Sequence, residues 1–237
     1  MRGMLLEATG AAACLGFCSM TWAVRGRASS VFGPSVYRGV ADRCSIALTF
    51  DDGPSESTPQ LLALLGQYRA PATFFVCGVN VRRLPGVVRE IVRAGHEVGN
   101  HSDTHARFCL RSARFIDQQI ARAQQAIMEA TGVAPRLFRA PYGVRWFGLR
   151  EVQRRLGLLG VMWTEIAQDW KSPAGSIVRR LAKGARGGAI FCLHDGRLTQ
   201  AKPDTRATLE AVRRLVPELL ERGFRFETVS QILCPTT

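Results

Sequence analysis

The stretch Ser45-Ile46-Ala47-Leu48-Thr49-Phe50-Asp51-Asp52-Gly53-Pro54 decides how the chain is read. Six uncharged residues, mostly apolar, make a buried strand, and Asp-Gly-Pro then turns the chain. A turn needs one Asp at most. A second carboxylate beside the first is repelled unless a cation lies near both, so the strand ends on a charge pair that calls for a positive partner.

Outward from this stretch the chain alternates between strand and helix patterns. Further strands are expected at Ala72–Val76, His96–Asn100, Arg136–Ala140, Leu159–Thr164, Ala189–Leu193 and Phe224–Thr228. Helices are expected at Thr58–Arg69, at Val81–Ala94 closed by Gly95, near Leu149–Leu156 and at Ile177–Lys183. A long amphipathic helix carries Ile116, Ile120 and Ile127 and stops before Gly132. The last helix carries Leu209, Val212, Val216 and Leu219, with Pro217 expected to kink or restart it and Gly223 to end it. About seven strand–helix units without a break in composition make one α/β domain, a barrel or an open parallel sheet.

With 237 residues, 46% of them apolar and 22% charged, the chain is neither disordered nor a polytopic membrane protein. Its net charge is +13, and 29 of its 32 basic residues are Arg. Such a field favours anionic polymers. No dense basic run, no interleaving of bases with aromatics and no nucleic-acid motif accompanies it, so a nucleic-acid partner is not expected. The seven cysteines (14, 18, 44, 77, 109, 192 and 234) form no Cys-x-x-Cys pair, which argues against a zinc ribbon, a thioredoxin-type site or a disulfide scaffold.

The N-terminus has an uncharged run, Ala8–Val24, preceded by Arg2 and followed by Arg25 and Arg27. It reads first as a short membrane anchor, then as a packed or disordered extension, and last as a cleaved signal peptide ending at Thr21-Trp22-Ala23. The organisation expected is an apolar segment over 1–30, a linker over 31–43 and a catalytic domain over 44–233.

The chemistry-bearing residues fall just after the strands, where α/β barrels collect their catalytic groups. Asp51 and Asp52 end one strand. His101 and His105 follow another, and in a helix their spacing would put both imidazoles on one face, able to grip one metal ion. A His-x3-His pair alone is more often a pair of surface or core histidines. His194 ends the strand Ile190–Leu193 and is followed by Asp195, whereas His96 begins its strand at the opposite rim and reads as structural. Arg139-Ala140-Pro141-Tyr142-Gly143 and Gln168-Asp169-Trp170 complete the rim. Together they supply a metal triad, a spare carboxylate, an Arg to hold it and a second titrating group, the parts of a metal-assisted hydrolase.

In order and spacing these clusters resemble the polysaccharide deacetylases of carbohydrate esterase family 4, the chitooligosaccharide deacetylase homology domain. The matching stretches are Thr49–Pro54, Ala72–Val76, His101-Ser102-x-x-His105, Arg139-x-Pro141-Tyr142-Gly143, Asp169-Trp170 and Leu193-His194. The resemblance implies a distorted (β/α) barrel that removes acetyl groups from N-acetylated amino sugars. It implies that Asp52, His101 and His105 bind a divalent metal, zinc first, with cobalt or manganese as alternatives. Asp51 would be the general base, tethered by Arg139. His194 would protonate the leaving amine, oriented by Asp169. The Tyr142 backbone N–H would hold the developing oxyanion, and Trp170 and Leu193 would line the acetyl pocket. Many relatives carry an Asp three residues before Asp169; this chain has Ile166 there. An O-acetyl esterase acting on xylan and a non-catalytic carbohydrate-binding relative are the competing readings. The substrate class places the catalytic domain outside the cytoplasm, in the cell envelope.

Overall fold

The chain enters its sheet through a two-residue edge strand, β1 (Ser35–Val36), seen in a computed structural model that describes residues 16 and 18–234. There follow β2 (Ser45–Asp51), α1 (Thr58–Gln67), β3 (Ala72–Val76), α2 (Gly78–Arg83), α3 (Pro85–Arg93) and β4 (Glu97–Asn100). Next come α4 (Ala113–Thr131), β5 (Leu137–Phe138), a 3-10 turn (Pro141–Gly143), α5 (Leu149–Leu156), β6 (Leu159–Val161) and β7 (Glu165–Ile166). The chain closes with α6 (Ala174–Gly184), β8 (Ala189–His194), α7 (Arg206–Glu221), β9 (Arg225–Phe226) and α8 (Val229–Leu233).

Among the described residues the strands pair in parallel in the order β1-β6-β5-β4-β3-β2-β8-β7, with β9 beside the start of β2. The sheet curls into an incomplete barrel, the distorted (β/α) barrel expected from the sequence. Alternation along β2 explains its central place. Ile46, Leu48 and Phe50 face the helices, packing with Leu61, Leu65, Val212 and Leu215, while Ala47 faces inward with Phe75 and Ile190. Register then sets the site: Asp51 pairs with His194 and Phe75, and Asn100 with Val76, so all their strands end at one rim.

Several boundaries differ from the sequence expectation. The helix expected over Val81–Ala94 is two helices, because Leu84 leaves helical backbone before Pro85, which starts α3. By contrast, α7 runs unbroken through Pro217, since Leu209, Val212, Leu215, Val216 and Leu219 are all buried and hold the helix against the core. The strand expected over Leu159–Thr164 is β6 alone. Met162–Thr164 then cross the barrel's open seam, and β7 joins the opposite edge beside β8.

The segment expected to be a linker, 31–43, is part of the fold. Val36 sits opposite Val161 in β1, and Phe32 is buried with Ala23, Val24 and Val144. A short helical stretch at 18–25 precedes it. Backbone carbonyls of Val24, Gly26 and Ser29 accept hydrogen bonds from the buried Arg145 guanidinium, and Arg27 Nη1 donates to Thr164 O on the seam. Most of the apolar run Ala8–Val24 lies outside the described residues. Among those described, no helix is long and apolar enough to cross a membrane.

Candidate active site

Asp51 and Asp52 leave β2 toward different partners because the backbone inverts between them. Asp52 has φ 72°, a left-handed conformation that Asp tolerates better than most residues. The turn is braced from β8: Asp195 N and Gly196 N donate to Asp51 O at 3.2 and 3.3 Å. The Asp195 carboxylate packs under Gly53, where a Cβ would come within 2.3 Å of Oδ2, so only glycine fits. Asp195 therefore supports the turn and is not the partner of His194. Burial, opposed in part by the Thr58 hydroxyl and reinforced by the charges of Asp52 and Asp51, pushes its carboxyl up to about 7.

Asp51 points to Arg139. Arg139 Nη1 lies 2.6 Å from Asp51 Oδ1 and 2.7 Å from Thr49 Oγ1; Nε and Nη2 donate to the carbonyls of Val161 and Met162. The guanidinium is fully buried beneath the Phe75 ring, 4.1 Å from its centroid. Each of its three nitrogens donates, so a carboxylate at position 166 is not required to complete its shell; Ile166 lines the cavity instead.

Asp52 points to the two histidines. His105 Nε2 and His101 Nε2 approach Asp52 Oδ1 at 3.0 and 3.3 Å, yet Oδ1 has no hydrogen-bond partner among the described residues. Donor atoms drawn this close without hydrogen-bond geometry aim at a common point. His101 Nδ1 is 2.8 Å from Arg139 O, a carbonyl that only accepts, so Nδ1 carries the proton and the Nε2 lone pair is free to ligate. One carboxylate and two imidazoles whose ligand atoms all lie within 4.8 Å of one another suit a divalent metal with further positions left open. The histidines do not lie on a helix, the arrangement their spacing favours. Residues 101–107 are irregular, and left-handed turns at Ser102 (φ 66°) and His105 (φ 56°) bring the rings together, 4.9 Å apart.

Across the cavity, His194 Nδ1 is 2.8 Å from Asp169 Oδ1. Asp169 Oδ2 accepts from His194 N and Thr208 Oγ1, both at 2.8 Å, so the carboxylate is locked and His194 Nε2 is left for the cavity. Burial alone would lower the imidazole pKa, but Asp169, then Asp52 and Asp51, push it up to about 9. Trp170 stands edge-on to the His194 ring at 5.1 Å, and Tyr142 (φ 58°) edge-on to His105 at 4.6 Å. These residues surround a cavity of about 480 Å³. His96, at the other rim, accepts from Ala72 N at 3.1 Å and is held neutral by burial, with a pKa of about 4, as a structural histidine would be.

One expected residue lies elsewhere. Leu193 is fully buried among core residues on the helix-facing side of β8 and does not line the cavity. Alternation puts Cys192 and His194 on the inner face instead, and Cys192 reaches the cavity with its Sγ 3.5 Å from Asp51 Oδ2. Two further supports carry no sequence signal. Asn80 Nδ2 donates to Asp52 O at 2.8 Å, and Leu198 N to Asp52 Oδ2 at 2.7 Å.

Residues 38–161 match the family model for polysaccharide deacetylase. The chain is 38% identical over 192 residues to a peptidoglycan-N-acetylglucosamine deacetylase of Bacillus cereus, covering 79% of this chain and 87% of that protein. It is 36% identical over 195 residues to a chitooligosaccharide deacetylase of Sinorhizobium fredii, covering 79% of this chain and 91% of the other. Among solved structures, a family 4 pseudoenzyme from Bacillus anthracis superposes with a TM-score of 0.77 at 27% identity, over 86% of this chain and 70% of that one. Since that fold is shared by an inactive protein, activity has to be argued from the side chains above. With these matches, the chain belongs to the polysaccharide deacetylase family.

Proposed function

We propose that the chain is a metal-dependent hydrolase that removes N-acetyl groups from amino-sugar polymers or oligomers. The observation that carries this is the facing of two sets across one cavity: Asp52, His101 and His105 on one side, His194 with Asp169 on the other, and Asp51 between them. The names of the Bacillus and Sinorhizobium relatives support the substrate class.

An amide carbon is a weak electrophile and an amine a poor leaving group, so the reaction needs both electrophilic and acid assistance. A divalent metal held by Asp52, His101 and His105 would supply Lewis acidity and make hydroxide available near neutral pH. Zinc is the metal we propose, and the mixed imidazole–carboxylate donor set also accepts cobalt or manganese. Asp51, its Oδ1 fixed by Arg139, takes the proton from the attacking water. Backbone N–H of Tyr142 holds the developing oxyanion. His194 is protonated at neutral pH and gives its Nε2 proton to the departing nitrogen, with Asp169 keeping the imidazolium stable and oriented. Trp170, Ile166 and Cys192 form the wall against which the acetyl methyl rests.

Envelope polysaccharides lie outside the cytoplasm, and we infer that the catalytic domain does too. The test of function is acetate release from chitopentaose, peptidoglycan, acetylxylan and an acetylated exopolysaccharide, with zinc, cobalt or no added metal. Turnover of an N-acetylated substrate supports the proposal. Turnover of acetylxylan alone assigns an O-acetyl esterase, and no turnover under any condition removes the enzymatic reading.

A further inference from the structure

Cys192 gives the cavity a second set of metal-binding atoms. Asp51 Oδ1 is taken by Arg139, but Oδ2 faces Cys192 Sγ at 3.5 Å. A metal bound to thiolate at about 2.3 Å and carboxylate at about 2.0 Å, at a tetrahedral angle, sets sulfur and oxygen about 3.5 Å apart. His194 lies two residues on along the same face of β8, and its Nδ1 is bonded to Asp169, the carboxylate–histidine arrangement that orients an imidazole toward a metal. The ligand atoms of Asp51, Cys192 and His194 lie within 4.8 Å of one another.

We propose that Asp51, Cys192 and His194 form a second, inhibitory metal site, selective for thiophilic divalent cations: cadmium, and zinc in excess. Its donors are one thiolate, one imidazole and one carboxylate, whereas the Asp52–His101–His105 set has no sulfur, so softness separates the two sites. The Asp51 carboxylate stands between them, with Oδ2 3.9 Å from His101 Nε2, and screens one cation from the other. Binding forms a metal–sulfur bond and releases the thiol proton, together with the His194 proton, to solvent. The inhibitory consequence rests on the reading of Asp51 as base and His194 as acid, since both would be occupied; the binding itself does not.

The experiment uses the metal-stripped full chain, titrated with cadmium or zinc while elemental analysis gives the ions retained after desalting. Difference absorption of the cadmium–thiolate band, wild type against Cys192→Ala, isolates this thiol from the other cysteines. Two ions per wild-type chain, one per Cys192→Ala chain and a band lost with Cys192 are expected. The zinc concentration that halves acetate release should rise at least about tenfold in Cys192→Ala relative to that variant's own uninhibited rate. Cys192→Ser, which keeps the size of the side chain but has a harder donor, should lose cadmium more than zinc and guards against a folding defect in the alanine variant. Equal stoichiometry and unchanged thiolate absorption in wild type and variant overturn the proposal. If no substrate is turned over, the binding measurement still decides the site, so failure of the functional reading is told apart from failure of this one.

Discussion

Arg139 Nη1 lies 2.6 Å from Asp51 Oδ1 in a fully buried setting, and the Arg139 carbonyl fixes the tautomer of the neighbouring His101. One residue thus governs both the carboxylate expected to act as base and one expected metal ligand. Arg139→Met leaves Asp51, Thr49 and two carbonyls without their donor. Loss of one partner from a buried pair costs about 3–5 kcal/mol, and thermal or denaturant unfolding should show a fall of that order together with loss of turnover. Arg139→Lys keeps the charge but not the fork of donors, and should fall between wild type and Arg139→Met. Unchanged stability in Arg139→Met would contradict the buried network.

The adjacent carboxylates should separate by metal content. Asp51→Asn is expected to lower acetate release by roughly 10²–10⁴-fold, the span of general base catalysis, while metal remains bound. Asp52→Ala should lose metal as well as rate. Elemental analysis of the desalted variants checks this, and equal metal loss in both would reverse the assignment of base and ligand.

This division of labour is legible in the amino-acid sequence because strand ends carry it: Asp51, Asp52, Arg139 and His194 follow buried apolar runs, and His101 follows the short strand Glu97–Asn100. What is not legible there comes from geometry that spacing does not encode. The His101–His105 pair converges through two left-handed residues and not through a helix. Parity along β8, by contrast, is legible: counting alternate residues back from His194 turns Leu193 into the core and Cys192 into the cavity. Asn80 and Thr208 arrive from helices remote in sequence, and no local pattern marks them.

The pH dependence follows from His194. Its imidazole titrates at about 9 in the folded chain against 6.5 for the free group, so the acid form is present at neutral pH and is lost as pH rises through about 9. Acetate release should therefore have an alkaline limb at or somewhat below 9, because a bound cation offsets part of the field of Asp51 and Asp52. Removing the strongest stabilising charge, in Asp169→Asn, should move that limb toward acid. The same shift makes the His194–Asp169 pair stabilising below pH 6.5 and progressively less so up to about 9. A limb that stays in place in Asp169→Asn would exclude His194 as the titrating acid.

Metal removal should weaken the fold as well as the activity. Without a cation, Asp52 Oδ1 is buried and lacks a hydrogen-bond partner among the described residues. A ligand at about 100 times its Kd contributes about 2.7 kcal/mol, so restoring zinc to stripped protein should raise Tm measurably in wild type and not in Asp52→Ala. Identical melting with and without zinc would count against a metal at this triad.

The N-terminal segment is bound to the catalytic domain through Arg145, whose buried guanidinium takes the carbonyls of Val24, Gly26 and Ser29. Those carbonyls lie next to Arg25, which lines the cavity, and Arg27, which reaches the seam at Thr164. Arg145→Ala removes a charged donor from three carbonyls. Val24 O and Gly26 O keep the backbone donors Arg145 N and Ser29 N, so the loss falls mainly on Ser29 O, at about 1–3 kcal/mol for a buried acceptor left unpaired. The segment should then come away before the barrel unfolds. Trypsin is the direct probe, since Arg25 and Arg27 are its sites within the docked stretch. Wild type should resist cleavage there, and Arg145→Ala should be cut at Arg25 and Arg27 while the rest of the domain stays intact. Equal resistance in both would mean that the packing of Phe32, Ala23 and Val24, with the Arg27–Thr164 contact and the remaining backbone bonds, suffices to hold the segment.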